Sequence, residues 1–119
     1  MGYRSDVSLT IEKSDFDKLL EEINSSDHYV KQMFNSAKKL VCGSFVTLYW
    51  EWVKWYEEFE EVEFFEKFFQ KLDHYKFIRL GENEEDNYED YRGDYIDCAN
   101  MERSICCDGI EFDCKVNCE

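Results

Sequence analysis

The chain has no proline and only five glycines among its 119 residues. Without proline there is no Pro-rich linker, and no compositional break marks a domain boundary. No apolar run approaches the roughly 20 residues that a membrane-crossing helix requires. The opening Met1-Gly-Tyr-Arg-Ser-Asp6 lacks the apolar stretch of a secretion signal. Asp6 also stands where an N-myristoylation pattern at Gly2 needs serine or threonine. The expected setting is therefore the cytosol. Basic residues are scarce too: 14 lysines and arginines face 28 aspartates and glutamates, a net charge of −14. Such a field repels nucleic acid and anionic lipid and attracts basic surfaces, which argues against direct duplex binding and against membrane attachment.

What is present is enough apolar material for a core, at 44% hydrophobic and 18% aromatic residues. A chain of this length is expected to form a single domain, residues 1–119, that buries roughly two-thirds of its unfolded surface. Its charge is concentrated. Six glutamates and no basic residue lie between Glu57 and Glu66, and residues 82–97 hold eight carboxylates against Arg92 alone. Those two blocks carry −13 of the net −14.

Apolar periodicity outlines the elements. Val7, Leu9 and Ile11 alternate with Ser8, Thr10 and Glu12, the mark of a half-buried strand. Ser14 precedes Phe16, Leu19, Leu20 and Ile23 at helical spacing, with Asp17 three residues on, a capping-box-like start. Val30, Met33, Phe34 and Ala37 predict a second helix closing near Gly43. The aromatic stretch 44–56 reads as a central strand with Val46, Leu48, Trp50 and Trp52 on one face. Its phase breaks after Trp52, which suggests a bulge and leaves Trp55 and Tyr56 as candidates for exposure. Val62, Phe65, Phe69 and Leu72 predict a helix over 60–72, and Tyr75–Leu80 a further strand. Residues 82–97 show no apolar period and are expected to be a long acidic loop. Asp108-Gly109 between Arg103–Cys107 and Ile110–Val116 signals a hairpin. Crossover helices prefer one hand and so share a face. The expected fold is α+β: a two-layer sandwich, with helices packed on one face of a mixed β-sheet and a C-terminal β-hairpin.

No residue pattern points to catalysis. His28 and His74 belong to no nucleophile or metal motif, and a surface role fits both. Five of six cysteines fall in the last 22 residues, yet none forms a C-x-x-C pair. In a reducing compartment disulfides are not expected. A two-residue turn would set Cys107 opposite Ile110, leaving Cys107 and Cys114 roughly 10 Å or more apart along the ladder, too far for one zinc ion. They read as small core groups, and zinc would need Cys98, Cys106 or Cys118 brought in by the tail. No cofactor and no metal site are expected.

The acidic segment 82–97 fails the calcium-loop pattern, because no glycine follows a leading aspartate at the sixth position. It is either a solvated loop or a partner surface, with carboxylates and tyrosines meeting arginines by charge and by stacking. Loops this long inside compact domains are usually functional or disordered. The glutamates of 57–66 carry less weight. Glu63 and Lys67 pair at i,i+4 on what reads as a solvated helix face.

Met1-Gly-Tyr-Arg-Ser-Asp-Val7, Val53-Lys-Trp-Tyr56 leading into an acidic helix, and Phe77-Ile-Arg-Leu-Gly-Glu82 resemble a group of small bacteriophage and prophage proteins. The resemblance touches about two-thirds of the chain in scattered pieces and leaves out the cysteine-rich tail. It implies a phage or mobile-element origin and assigns no functional residue. Small acidic phage proteins without enzymatic motifs are often inhibitors of bacterial defence. The leading expectation is thus an anti-CRISPR-like inhibitor in the host bacterial cytosol, with no catalysis of its own. It would block a basic nucleic-acid-binding protein through Glu82, Glu84, Glu85, Asp86, Glu89, Asp90 and Asp94, with Tyr88 and Tyr91 packing alongside. The alternatives are a structural accessory protein, or a sponge for a nucleotide signal. The sponge would stack a base on Trp50, Trp52 or Trp55 beside Tyr56, with Lys54 or Arg79 on a phosphate.

Overall fold

The computed structural model describes residues 2–83, 85–94, 96–101 and 104–117. Glu84, expected at the partner surface, and Tyr95, Arg103 and Cys118 lie outside the described residues. The chain is α+β. Strand β1 (Ser5–Glu12) turns Val7, Leu9 and Ile11 to one face and Ser8 and Thr10 to the other, all of them buried. Helix α1 (Lys13–Asn24) follows without a linker and buries Phe16, Leu19 and Ile23. Its cap is Glu12, which makes no side-chain capping bond, so Ser14 is not the cap that its spacing suggested. The reason is sheet pairing: Glu12 still pairs with Phe45, and the Lys13 amide donates to the Ser44 carbonyl at 3.0 Å.

Asp27 caps α2 (His28–Ser36) by accepting the Val30 amide at 3.1 Å. This helix stops at Ser36 rather than near Gly43, because Lys38–Cys42 forms strand β2, paired with β3 (Phe45–Val53). Gly43-Ser44 closes that hairpin, and Gly43 supplies the positive φ of 63° that its first turn position requires. Buried Lys39 compensates for the early stop: its ammonium donates to the carbonyls of Phe34 (2.8 Å) and Ala37 (3.0 Å), the loose end of α2. Burial lowers its pKa to about 8.

Helix α3 (Glu60–Gln70) opens with Glu60, Glu61 and Glu63, which favour the positive end of its dipole, and it carries the Glu63–Lys67 pair at 3.1 Å. Five further strands follow among the described residues: β4 (Tyr75–Gly81), β5 (Asn87–Arg92), β6 (Ala99–Met101), β7 (Ile105–Cys107) and β8 (Ile110–Phe112).

The main sheet runs β5-β4-β1-β3-β2-β8, and every pairing in it is antiparallel rather than mixed. Both helical crossovers do join parallel strands, β1 to β2 and β3 to β4. Each such pair has an antiparallel strand lying between its members, so no parallel ladder forms. The core order β4-β1-β3-β2, built as β-α-β-β-α-β with a doubled first helix, is the split βαβ arrangement. Fold alone assigns no activity to it.

One face of this sheet packs against the three helices through Leu9, Leu48, Trp50, Phe77, Phe65 and Phe34. The opposite face is also covered, by the ribbon of β6 and β7, with Ile78, Ala99 and Ile105 at its centre. The C-terminal hairpin is therefore β6–β7. Cys107 lies opposite Ala99, and Ile110 pairs with Val41 of β2, so the Asp108-Gly109 turn passes the chain between sheets instead of folding it back. Cys42 and Cys98 form a disulfide, with Cα atoms 6.0 Å apart, contrary to the expectation of free thiols. It ties the β2–β3 turn to the segment that covers the sheet. Cys107 and Cys114 are half-buried thiols packed against the apolar clusters, and Cys106 is exposed. Among the described residues no helix is long and apolar enough to cross a membrane.

Candidate interaction surface

The acidic segment is not one long loop. Strand β5 occupies Asn87–Arg92 and forms the edge of the sheet, joined to β4 by a short acidic turn. In that turn the Gly81 amide donates to the Asp86 carbonyl (2.8 Å) and the Asp86 amide to the Asn83 carbonyl (2.9 Å). Residues opposite one another share a face, so Tyr88, Asp90 and Arg92 turn toward the helices while Glu89 and Tyr91 turn toward the β6–β7 side.

Several of the expected contact residues are held by neighbours. Glu82 accepts the Arg4 amide at 2.7 Å, and Asp86 accepts the Tyr3 hydroxyl at 2.6 Å while facing Arg79 at 3.8 Å. Asp90 accepts the Tyr75 hydroxyl at 3.0 Å, and Glu89 lies 3.8 Å from the Lys76 ammonium. Burial and that bond to Asp90 raise the Tyr75 pKa. Asp94 offers its carbonyl to His74 Nε2 at 3.0 Å. Glu85 is exposed, Tyr88 is 46% exposed, and Tyr91, at 63%, is among the most accessible aromatic rings of the chain. Arg79 lies over the Tyr88 ring at 5.4 Å. The result is an array of carboxylates and tyrosines fixed on a strand.

The alternative ligand group does not assemble as a stacking platform. Trp50 and Trp55 are both buried, 5.2 Å apart between ring centroids, and the Trp55 indole donates to Glu66 at 3.2 Å. Tyr56 is half-buried beside Phe59, Lys54 is exposed, and Arg79 is taken up by Asp86 and Tyr88. Trp52 is the exception, 58% exposed, although alternation put it in the core with Val46, Leu48 and Trp50. The cause is a bulge: Ser5 pairs with Val53 but Val7 with Trp50, so β3 carries one extra residue there. The bulge shifts the phase by one, swinging Trp52 outward and bringing Trp55 into the core. Trp52 adopts φ 57°, a costly conformation for a bulky residue. Its amide donates to Asp6 (2.9 Å) and its carbonyl accepts from the Arg4 guanidinium (3.1 Å), which holds it there. Residues 44–56 had signalled the bulge but not which tryptophan it would expose.

Glu82 and Asp86 of the first group and Trp52, Lys54 and Tyr56 of the second meet at one end of the sheet, where residues 2–4 link them. Gly2 lies against Tyr56 and Lys54; Tyr3 is bonded to Asp86 and receives the Asn83 amide at 3.0 Å; Arg4 joins Glu82 to Trp52. Gly81 lies so close beneath the Tyr3 hydroxyl and the Asp86 carboxylate that a side chain there would displace them. No cue in the sequence pointed to this clasp, which joins residues about 80 positions apart.

Elsewhere, a groove of about 500 Å³ between α2 and α3 holds a carboxylate pair, Asp27 and Glu60. The Val30 amide and the bond to Glu60 lower the Asp27 pKa, and the same bond raises that of Glu60. No group of three or more metal-ligating side chains occurs among the described residues. The face that base-stacking split βαβ proteins use for RNA is covered here by β6–β7. No family model, curated protein or solved structure matches this chain.

Proposed function

We propose that the chain is a phage-type anti-defence protein of the anti-CRISPR kind, acting in the host bacterial cytosol, where reducing conditions would hold Cys42 and Cys98 as thiols. It binds a basic nucleic-acid-binding protein through its acidic edge and blocks that protein without chemistry. The observation that carries this reading is the preorganisation of Glu89 and Asp90 on an exposed edge strand, with Asp86 held in the turn before it, beside Tyr88 and Tyr91. Ordered carboxylates lose little further freedom on binding, whereas a mobile acidic loop would have to be ordered first. Duplex DNA carries one negative charge per ~1.7 Å of axis, and a dense row of carboxylates meets the same cationic groups. The tyrosines add flat faces for guanidinium stacking.

The test is displacement of nucleic acid from a purified CRISPR effector, measured against ionic strength. Affinity should fall by roughly tenfold or more between 50 and 300 mM salt. Neutralising Glu85, Glu89, Asp90 and Asp94 to Gln or Asn together should weaken binding by about a hundredfold at low salt. Undiminished inhibition by that variant, with its fold intact by circular dichroism, sinks the reading.

A further inference from the structure

We infer that the β5 edge binds by strand addition, taking an extended basic segment of its partner as a seventh strand of the main sheet. The inference rests on the acidic-surface reading and specifies how that surface is used.

The phase of the ladder decides which backbone groups are available. Gly81 and Asp86 stand one step beyond Leu80 and Asn87, the last pair of the β4–β5 register, and the Gly81 amide donates to the Asp86 carbonyl. That one bond sets the phase of the ladder, because hydrogen-bonded positions alternate with open ones. Tyr88, Asp90 and Arg92, opposite Arg79, Phe77 and Tyr75, therefore direct their amides and carbonyls at β4. Glu89 and Tyr91 direct theirs away from the sheet, spaced to match alternate residues of an added strand. Among the described residues no other strand pairs with this edge. The opposite edge, β8, has only three residues.

Charge selects the occupant. A second copy of β5 would oppose carboxylate to carboxylate, which destabilises a sheet pair, so self-association along this edge is disfavoured. A strand with arginine or lysine at successive positions instead meets Glu89 on one face and Asp90 on the other. The exposed rings of Tyr88 and Tyr91 offer stacking on the same two faces.

The probe is a capped eight-residue peptide with two successive arginines at its centre and valines on either side, so that arginine reaches both faces, titrated into the full chain at low salt. Two N-methylated versions are compared with it, each methylated at alternate residues so that only one edge of the peptide is blocked. Strand addition predicts that one version binds about tenfold or more weakly while the other matches the parent. It also predicts slowed hydrogen exchange at the Glu89 and Tyr91 amides. Equal binding by all three peptides overturns strand addition and leaves a purely electrostatic surface. Failure of the parent peptide to bind overturns strand addition and the acidic-surface reading together.

Discussion

Trp52 provides a test of the backbone that needs no partner. Its φ of 57° lies in the left-handed region, which costs an L-residue roughly 1–2 kcal/mol and glycine almost nothing. Elsewhere in a strand glycine is the worse residue, by roughly 0.5–1 kcal/mol relative to alanine. The bonds that hold position 52, to Asp6 and Arg4, use only its backbone and survive any side-chain change. The indole is 58% exposed, and both truncations remove it, so its lost contacts cancel in the comparison. Trp52→Gly should therefore be more stable than Trp52→Ala by roughly 0.5–1 kcal/mol. For a chain of 119 residues that is about 2–4 °C in Tm. At Lys38, an exposed strand position without positive φ, the order should reverse. Urea melts of the four variants decide it. If Trp52→Ala matches or exceeds Trp52→Gly, the bulge is not held in a left-handed conformation and the account of the exposed indole fails.

Three other outcomes follow from the packing. Cys42→Ser, or full reduction, opens a cross-link spanning 56 residues; loop entropy puts the loss near 4 kcal/mol, readable in denaturant melts with and without reductant. For Lys39, the pKa of about 8 against a usual 10.5 means that between those values the unfolded chain holds a proton the folded chain has released. Native stability relative to a Lys39→Met variant should then rise with pH across that window, by about 1–3 kcal/mol, and a flat difference contradicts the burial of a charged ammonium. Gly81→Ala forces apart Tyr3 and Asp86. It should cost about 1–2 kcal/mol and speed proteolysis near the N-terminal segment, a loss that calorimetry and limited digestion both register.

Much of the architecture was legible because buried faces impose a period. Val7, Leu9 and Ile11 announced β1; Val62, Phe65 and Phe69 announced α3; and both crossovers put helices on one face. What stayed hidden was set by pairing across long separations. β2 was concealed because Lys39, a lysine, occupies a core position that only the end of α2 makes tolerable. β5 was concealed because Asn87-Tyr-Glu-Asp-Tyr-Arg92 is largely exposed on both faces, so no apolar period marks it. Asp108-Gly109 correctly signalled a turn, but a turn does not state which strands its arms will join. The site was legible in composition, through carboxylates and tyrosines, and illegible in geometry. Nothing local told that Tyr3 would hold Asp86, or that a single inserted residue would exchange Trp52 for Trp55.

The position of β1 bears on how the molecule comes to be folded. It is the opening strand of the described chain, yet it lies inside the sheet, between β3 and β4. Its partners begin at Phe45 and Tyr75, so neither ladder can zip from a local hairpin. Within the main sheet, β2–β3 and β4–β5 can form early by short-range closure; β1 must then be threaded between two preformed ribbons, at the entropic cost of closing long loops. That order of events predicts slow collapse onto β1, on the millisecond-to-second scale of non-local β folds. Until it is complete, Val7, Leu9 and Ile11 remain in solvent, so the same central strand that anchors the finished sheet is the segment most open to misassociation while the chain is being made.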